Sequence, residues 1–194
     1  RCISKGYDVT ILNRGNKKCP DGAKSIIADI RDKAQVLKAI GSEHYDTVAE
    51  FVGFVPDHVR NDIEIFSGRT DQYIFISSAS AYQKPVLSYP ITEETPLDNP
   101  YWDYSRQKAA CEKVLMDAYR ENGFPVTIVR PSHTFDESHA PVAVHGDKGC
   151  WQVIQRILDG KSVIIPGDGT SLWTTTLNTD FAKGYRGRIG NKNA

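Results

Sequence analysis

Tyr104 and Lys108 stand four residues apart at the start of a stretch whose apolar positions Ala109, Val114, Leu115 and Ala118 recur at helical spacing. That spacing predicts one amphipathic helix with the phenol and the ammonium on the same face. Such a pair can exchange the proton of a substrate hydroxyl, as transfer of a hydride from a carbinol requires. A phenol titrates near ~10, and bringing it to ~7 takes about 4 kcal/mol of differential stabilisation, at roughly 1.4 kcal/mol per unit. A neighbouring cation acts in that direction. Upstream, the apolar run Tyr73-Ile74-Phe75-Ile76 leads directly into Ser77, Ser78 and Ser80. Ligands of open α/β sheets lie beyond the carboxyl ends of the strands, which puts Ser78 where a substrate oxygen would be held. The plainer alternative is that these serines only satisfy backbone groups at a strand end.

Those residues need a scaffold, and the chain alternates short β-branched runs with helical patterns. Strands are predicted at 8–12, 25–28, 47–52, 73–77 and 126–129, with helices at 33–40, 57–66 and 104–122. Alternation of this kind implies right-handed βαβ crossovers, so the fold class is α/β, a doubly wound parallel sheet of Rossmann type. Asp32 is expected to cap the helix that follows it. Beyond Pro131 the pattern loosens into a loop, a helix at 149–158, a short strand at 163–165 and the segment 167–180. The 194 residues are expected to form one partial dinucleotide-binding domain, with residues from about 131 contributing appendages on the substrate side.

Two features suggest that a first strand and its glycine-rich turn precede this sequence. Residues 1–6 read as the last turn of a helix closed by Gly6, and no Gly-rich turn stands where a Rossmann domain needs one for its pyrophosphate. At the other end residues 190–194 read as a polar turn. Gly184, Gly187 and Gly190 have the spacing of a phosphate-binding turn, but they follow a helical segment rather than a strand and are read as coincidence.

Composition removes several function classes. Lys plus Arg and Asp plus Glu both number 24, so no net field draws in nucleic acid or an anionic membrane. The four cysteines are far apart and no His or Cys spacing suits a metal, so they read as reduced thiols of a cytoplasmic protein. No apolar run approaches the ~20 residues of a membrane span.

Just after the first predicted strand comes Asn13-Arg14-Gly15, where this fold reads the adenosine ribose; an Arg there accommodates a 2′-phosphate, so Arg14 points to NADP. A basic surface turn is the alternative. Taken in order, Ser78-Ala79-Ser80-Ala81-Tyr82, Tyr104-x-x-x-Lys108 and Arg130-Pro131 resemble the motifs of the extended short-chain dehydrogenase/reductases, the NAD-dependent epimerase/dehydratase family. The resemblance implies catalysis by Ser78, Tyr104 and Lys108, Ser78 being selected over Ser77 and Ser80 by its distance from Tyr82. It implies NAD(P) binding by Asn13, Arg14, Asp29, Ile30, Tyr104, Lys108 and Pro131, with Asp29 at the adenine amino group and Ile30 against its ring. It implies oxidoreduction, epimerisation or dehydration of a sugar nucleotide or related hydroxyl or carbonyl compound, with Ser80, His133 and Trp173 on the substrate side and no metal. Trp173 stands where the sugar-nucleotide epimerases carry an Arg for the substrate diphosphate; an indole stacks on a ring but cannot pair with phosphate. His133 is read chiefly as a hydrogen-bonded structural histidine. Homo-oligomers are compatible with the resemblance, and so is an RNA-binding or non-catalytic, dinucleotide-sensing member of the same fold.

Overall fold

The computed structural model describes residues 2–145 and 147–191. Arg1 and the last three residues of the C-terminal polar turn lie outside them. The chain divides into two compact units, Arg1–Arg130 with Arg186–Ala194, and Pro131–Tyr185.

The first unit is an α/β array in which every strand pairing is parallel. Strand β1 (Thr10–Asn13) pairs with β2 (Lys24–Ile27), and β4 (Tyr73–Ile76) lies between β3 (Val48–Glu50) and β5 (Val126–Val129). Among the described residues β1 and β3 do not pair with one another. The connections are the helices α1 (Lys33–Ile40), α2 (Pro56–Phe66) and α3 (Asp103–Asn122). Each begins or ends for a local reason. Asp32 caps α1, its carboxylate accepting from the Gln35 amide at 3.0 Å. Pro56 opens α2 at a position where a missing N–H costs nothing. Gly123 closes α3 in the left-handed conformation, φ 68°, that an L side chain resists. Val36, Ile40, Val59, Ile65, Phe75, Cys111 and Leu115 fill the core between helices and strands. The Tyr73 ring packs in that core while its hydroxyl donates to Asp62 at 2.7 Å, so the one polar atom of a buried ring is satisfied.

The second unit holds β6 (His133–Phe135), α4 (Cys150–Leu158), β7 (Thr175–Leu177) and the start of α5 (Asn178–Arg186), with β6 and β7 paired in parallel. The strand expected at 163–165 is not formed. Its residues find no pairing partner, and Ile164 and Ile165 stay exposed. Strand structure falls instead on 133–135 and 175–177, short runs whose tendency shows only when the two are brought side by side. Gly184 lies within α5, and the Gly190 amide donates to Gln72 at 2.8 Å, so these glycines do not form a strand-to-helix turn. Among the described residues no helix is long and apolar enough to cross a membrane.

Candidate active site

Lys108 sits one turn into α3 and is 1% exposed, which is unusual for an ammonium. Its Nζ donates to the carbonyls of Gly53 and Ile76, both at 2.7 Å. The rings of Phe75, Phe54 and Tyr104 surround it at 4.7, 5.1 and 5.7 Å from their centroids. Burial lowers its pKa from the usual lysine range, opposed by Cys111, Glu50 and Glu112. The two carbonyls take two of its three donors and leave one. Gly53 makes the approach possible, because a Cβ there would stand 2.9 Å from the Phe75 ring and 3.3 Å from the Glu50 side chain.

Tyr104 lies one turn earlier on the same helix, its ring against those of Trp102 and Phe54. Burial holds the phenol above its ordinary pKa, and the nearby Ser78 side chain acts against that. Ser78 lies just beyond the carboxyl end of β4, so the strand and the helix bring Ser78, Tyr104 and Lys108 to one place. The Ser78 hydroxyl caps a short 3-10 turn, Ala79–Ala81, accepting from the Ser80 amide at 3.2 Å and meeting the Ser80 hydroxyl at 2.9 Å. The local alternative for this serine, satisfying a backbone group at a strand end, is therefore seen directly.

Ser77 serves a different purpose. Its hydroxyl bonds to Glu112, a buried carboxylate on α3 one turn beyond Lys108. Glu112 accepts from Arg130 Nε at 3.0 Å and from Nη2 at 2.6 Å, while Arg130 Nη1 donates to the Tyr82 hydroxyl at 3.0 Å. Tyr82 and Arg130 are thus parts of a brace that ties the ends of β4 and β5 to α3. Sequence reasoning missed Glu112, although the spacing 104, 108, 112 repeats one face of the helix. It also missed Gly53, whose role depends on a neighbour distant in sequence.

On the nucleotide side, Asn13 pairs in register with Ile27, so the turns that follow β1 and β2 leave the same sheet edge. Asn13 Oδ1 accepts from the Gly15 amide at 2.6 Å, and Asp29 Oδ1 from the Arg31 amide at 3.0 Å. The Ile30 side chain packs on the core and its carbonyl accepts from Asn61 at 2.9 Å. Arg14 is exposed and makes no hydrogen bond or ion pair among the described residues. Arg31 bonds through Nη2 to the Val52 carbonyl, but its buried Nη1 has no partner. An exposed guanidinium and an orphaned buried N–H at one edge form a donor set that suits the phosphates and ribose of a dinucleotide.

In the second unit, which Pro131 opens, the His133 ring lies 5.1 Å from that of Trp173 and 6.5 Å from that of His145. Trp173 is half exposed. Among the described residues no three His, Cys, Asp or Glu side chains converge as a metal site would require.

The sequence pattern of the NAD dependent epimerase/dehydratase family matches residues 1–187. A UDP-glucose 4-epimerase of Lactobacillus helveticus is 29% identical over 168 residues, which are 72% of this chain and 50% of that protein. The chain therefore spans half the length of that relative. Among solved structures, Pal from Bacillus thuringiensis superposes with a TM-score of 0.78 at 20% identity, covering 98% of this chain and 68% of the other. The dTDP-glucose 4,6-dehydratase of Bacillus anthracis in complex with NAD gives 0.73 at 18%, covering 97% and 64%.

Proposed function

The chain belongs to the NAD-dependent epimerase/dehydratase family, and on that footing we propose that the full-length protein is an NAD(P)-dependent enzyme that epimerises or dehydrates a sugar nucleotide through Ser78, Tyr104 and Lys108. One observation carries the reading: the Lys108 ammonium lies under the Tyr104 ring, with Ser78 beside the phenol at the end of β4. The relatives' names, a 4-epimerase and a 4,6-dehydratase, share chemistry at hexose carbon 4, which is the position proposed for this protein.

In this mechanism Ser78 holds the oxygen of the reacting hydroxyl. Tyr104 takes its proton at the phenol oxygen and returns it when the carbonyl is reduced. Lys108 is a fixed cation that favours the phenolate, anchored by the Gly53 and Ile76 carbonyls so that it does not swing into the substrate. When bound, NAD(P) supplies a reversible two-electron acceptor and, in its oxidised form, a second positive charge. Asn13, Arg14, Asp29 and Ile30 would hold its adenosine end, and Lys108's remaining N–H and Pro131 the other. Arg14 favours NADP over NAD, since it is exposed and uncommitted at the edge where a 2′-phosphate would lie. His133 and Trp173 would sit on the substrate side, and a cytoplasmic setting is part of the same proposal.

The test is to incubate the full-length protein with NAD or NADP and UDP- or dTDP-glucose, and to follow the sugar by proton NMR. A 4-epimer or a 4-keto-6-deoxy sugar is expected. Tyr104→Phe should lower turnover by about 10²–10⁴ while cofactor affinity stays nearly unchanged. No product from any nucleotide hexose would overturn the reading. A Tyr104→Phe variant as active as its parent would remove Tyr104 from the chemistry.

A further inference from the structure

Trp102 occupies a position that its chemistry does not suit. It is the N-cap of α3, at φ −133° and ψ 121°, and its side chain makes no capping hydrogen bond. Ser, Thr, Asp or Asn at such a site would satisfy a free amide, whereas an indole has no acceptor to offer. Burial does not explain it either, since Trp102 is 56% exposed. Its ring nevertheless lies against the reactive group: the Trp102 and Tyr104 centroids are 4.8 Å apart, tilted by 40°. Phe54, 45% exposed, stands 6.5 Å from the same Tyr104 ring, and Tyr101 beside Trp102 is 77% exposed. Aromatic carbon has thus been placed around one phenol and left largely open to solvent, at a cost in hydration.

The occupant follows from the chemistry of Tyr104. Its hydroxyl must reach a single carbinol, so whatever meets the adjoining indole is part of the reacting ring. In a sugar nucleotide that ring is the hexose, because the base lies a diphosphate away. A pyranose presents an apolar C–H face with hydroxyls at its rim, which suits an indole on the face and Ser78 and Tyr104 at the rim. Arg106, one turn along the helix from Trp102, is already engaged by Asp103 at 3.0 Å and by the Pro100 carbonyl at 2.6 Å, and Lys108 by two carbonyls, so this shelf is not built for phosphate.

We propose that Trp102 is a specificity-determining residue whose indole stacks on the hexose ring of the substrate. The proposal rests on the sugar-nucleotide reading above and adds the face by which the sugar is held. In the full-length protein, the fluorescence change on adding UDP-glucose, less that on adding UDP, should be present in the parent and largely absent in Trp102→Phe. Trp102→Ala should raise KM for the nucleotide sugar by about tenfold or more with a smaller change in kcat, and Trp102→Phe should recover most of that loss. NAD(P) affinity should not follow the substitution. Turnover with an unchanged KM in Trp102→Ala, or a loss of NAD(P) affinity in place of sugar affinity, overturns the platform and leaves the proposed reaction standing. Binding of UDP-glucose that perturbs Trp102 without turnover supports the platform while the reaction assigned above falls. Absence of both binding and turnover overturns both.

Discussion

Lys108 holds its charge between two carbonyl oxygens and three aromatic rings, out of contact with water. Its position in the sequence identified it, but not the environment that shifts its pKa downward. The same holds for Tyr104, whose phenol is raised by burial, so that the fall needed for the proposed proton transfer has to come from cations gathered at the site. Arg14 is the opposite case, a residue whose local sequence says nearly everything because its surroundings are solvent. A charge-assisted hydrogen bond to a 2′-phosphate contributes roughly 1.5–3 kcal/mol, or about ten- to a hundredfold in affinity. In the full-length protein Arg14→Ala should therefore weaken NADP by that factor and leave NAD unaffected, as read by isothermal titration with each cofactor. Equal losses for the two, or none, would make Arg14 a surface charge.

At the scale of elements, α3 carries Tyr104, Lys108 and Glu112 at successive turns, and the third of these fixes the helix to the strand ends that bear Ser77 and Arg130. The Glu112 and Arg130 side chains are 3% and 18% exposed, so their pair is shielded from water. Removing one partner of such a pair strands the other, at a cost of about 3–5 kcal/mol. Glu112→Ala is expected to lower the urea-unfolding free energy by that amount, and Glu112→Gln by less because it still offers an acceptor. A loss under about 1 kcal/mol in Glu112→Ala would mean that the pair behaves as a surface ion pair. Helix ends were readable at this scale to within a residue, because Asp32, Pro56 and Gly123 act on their own segments. The strand expected at 163–165 failed because a three-residue apolar run is a strand only where a partner lies beside it.

The whole molecule decides the state of Asp62. This carboxyl lies on α2 facing Glu50 of β3 and the Tyr73 hydroxyl of β4, and burial, followed by the Glu50 charge, pushes it from 3.8 up to about 7. Tyr73 and Arg31 act in the opposite direction. The sign follows from proton uptake: between those two values the folded chain binds more proton at Asp62 than the unfolded chain does. Its contribution is complete below about pH 4, is lost as the pH rises through about 7, and is flat above that. Thermal or urea unfolding across pH 4.5–8 should show this decline. Asp62→Asn keeps an acceptor for Tyr73 and should flatten the profile, leaving the smaller part due to Glu50. An unchanged slope would place the titration elsewhere.

By itself the sequence determined the α/β class, the parallel crossovers, the helix boundaries and the three motifs in their order, since periodicity, caps and i,i+4 spacing act over a few residues. Tertiary structure alone decided the rest. Gly53 is needed because Phe75, from strand β4, occupies the space that a side chain would take. Ser77 and Ser78 part because one meets Glu112 and the other Tyr104. Asp62 is raised because the fold buries it and then sets the Glu50 charge against it. In each case the deciding contact joins residues of different elements, and desolvation, close packing and charge coupling depend on distance in space rather than along the chain.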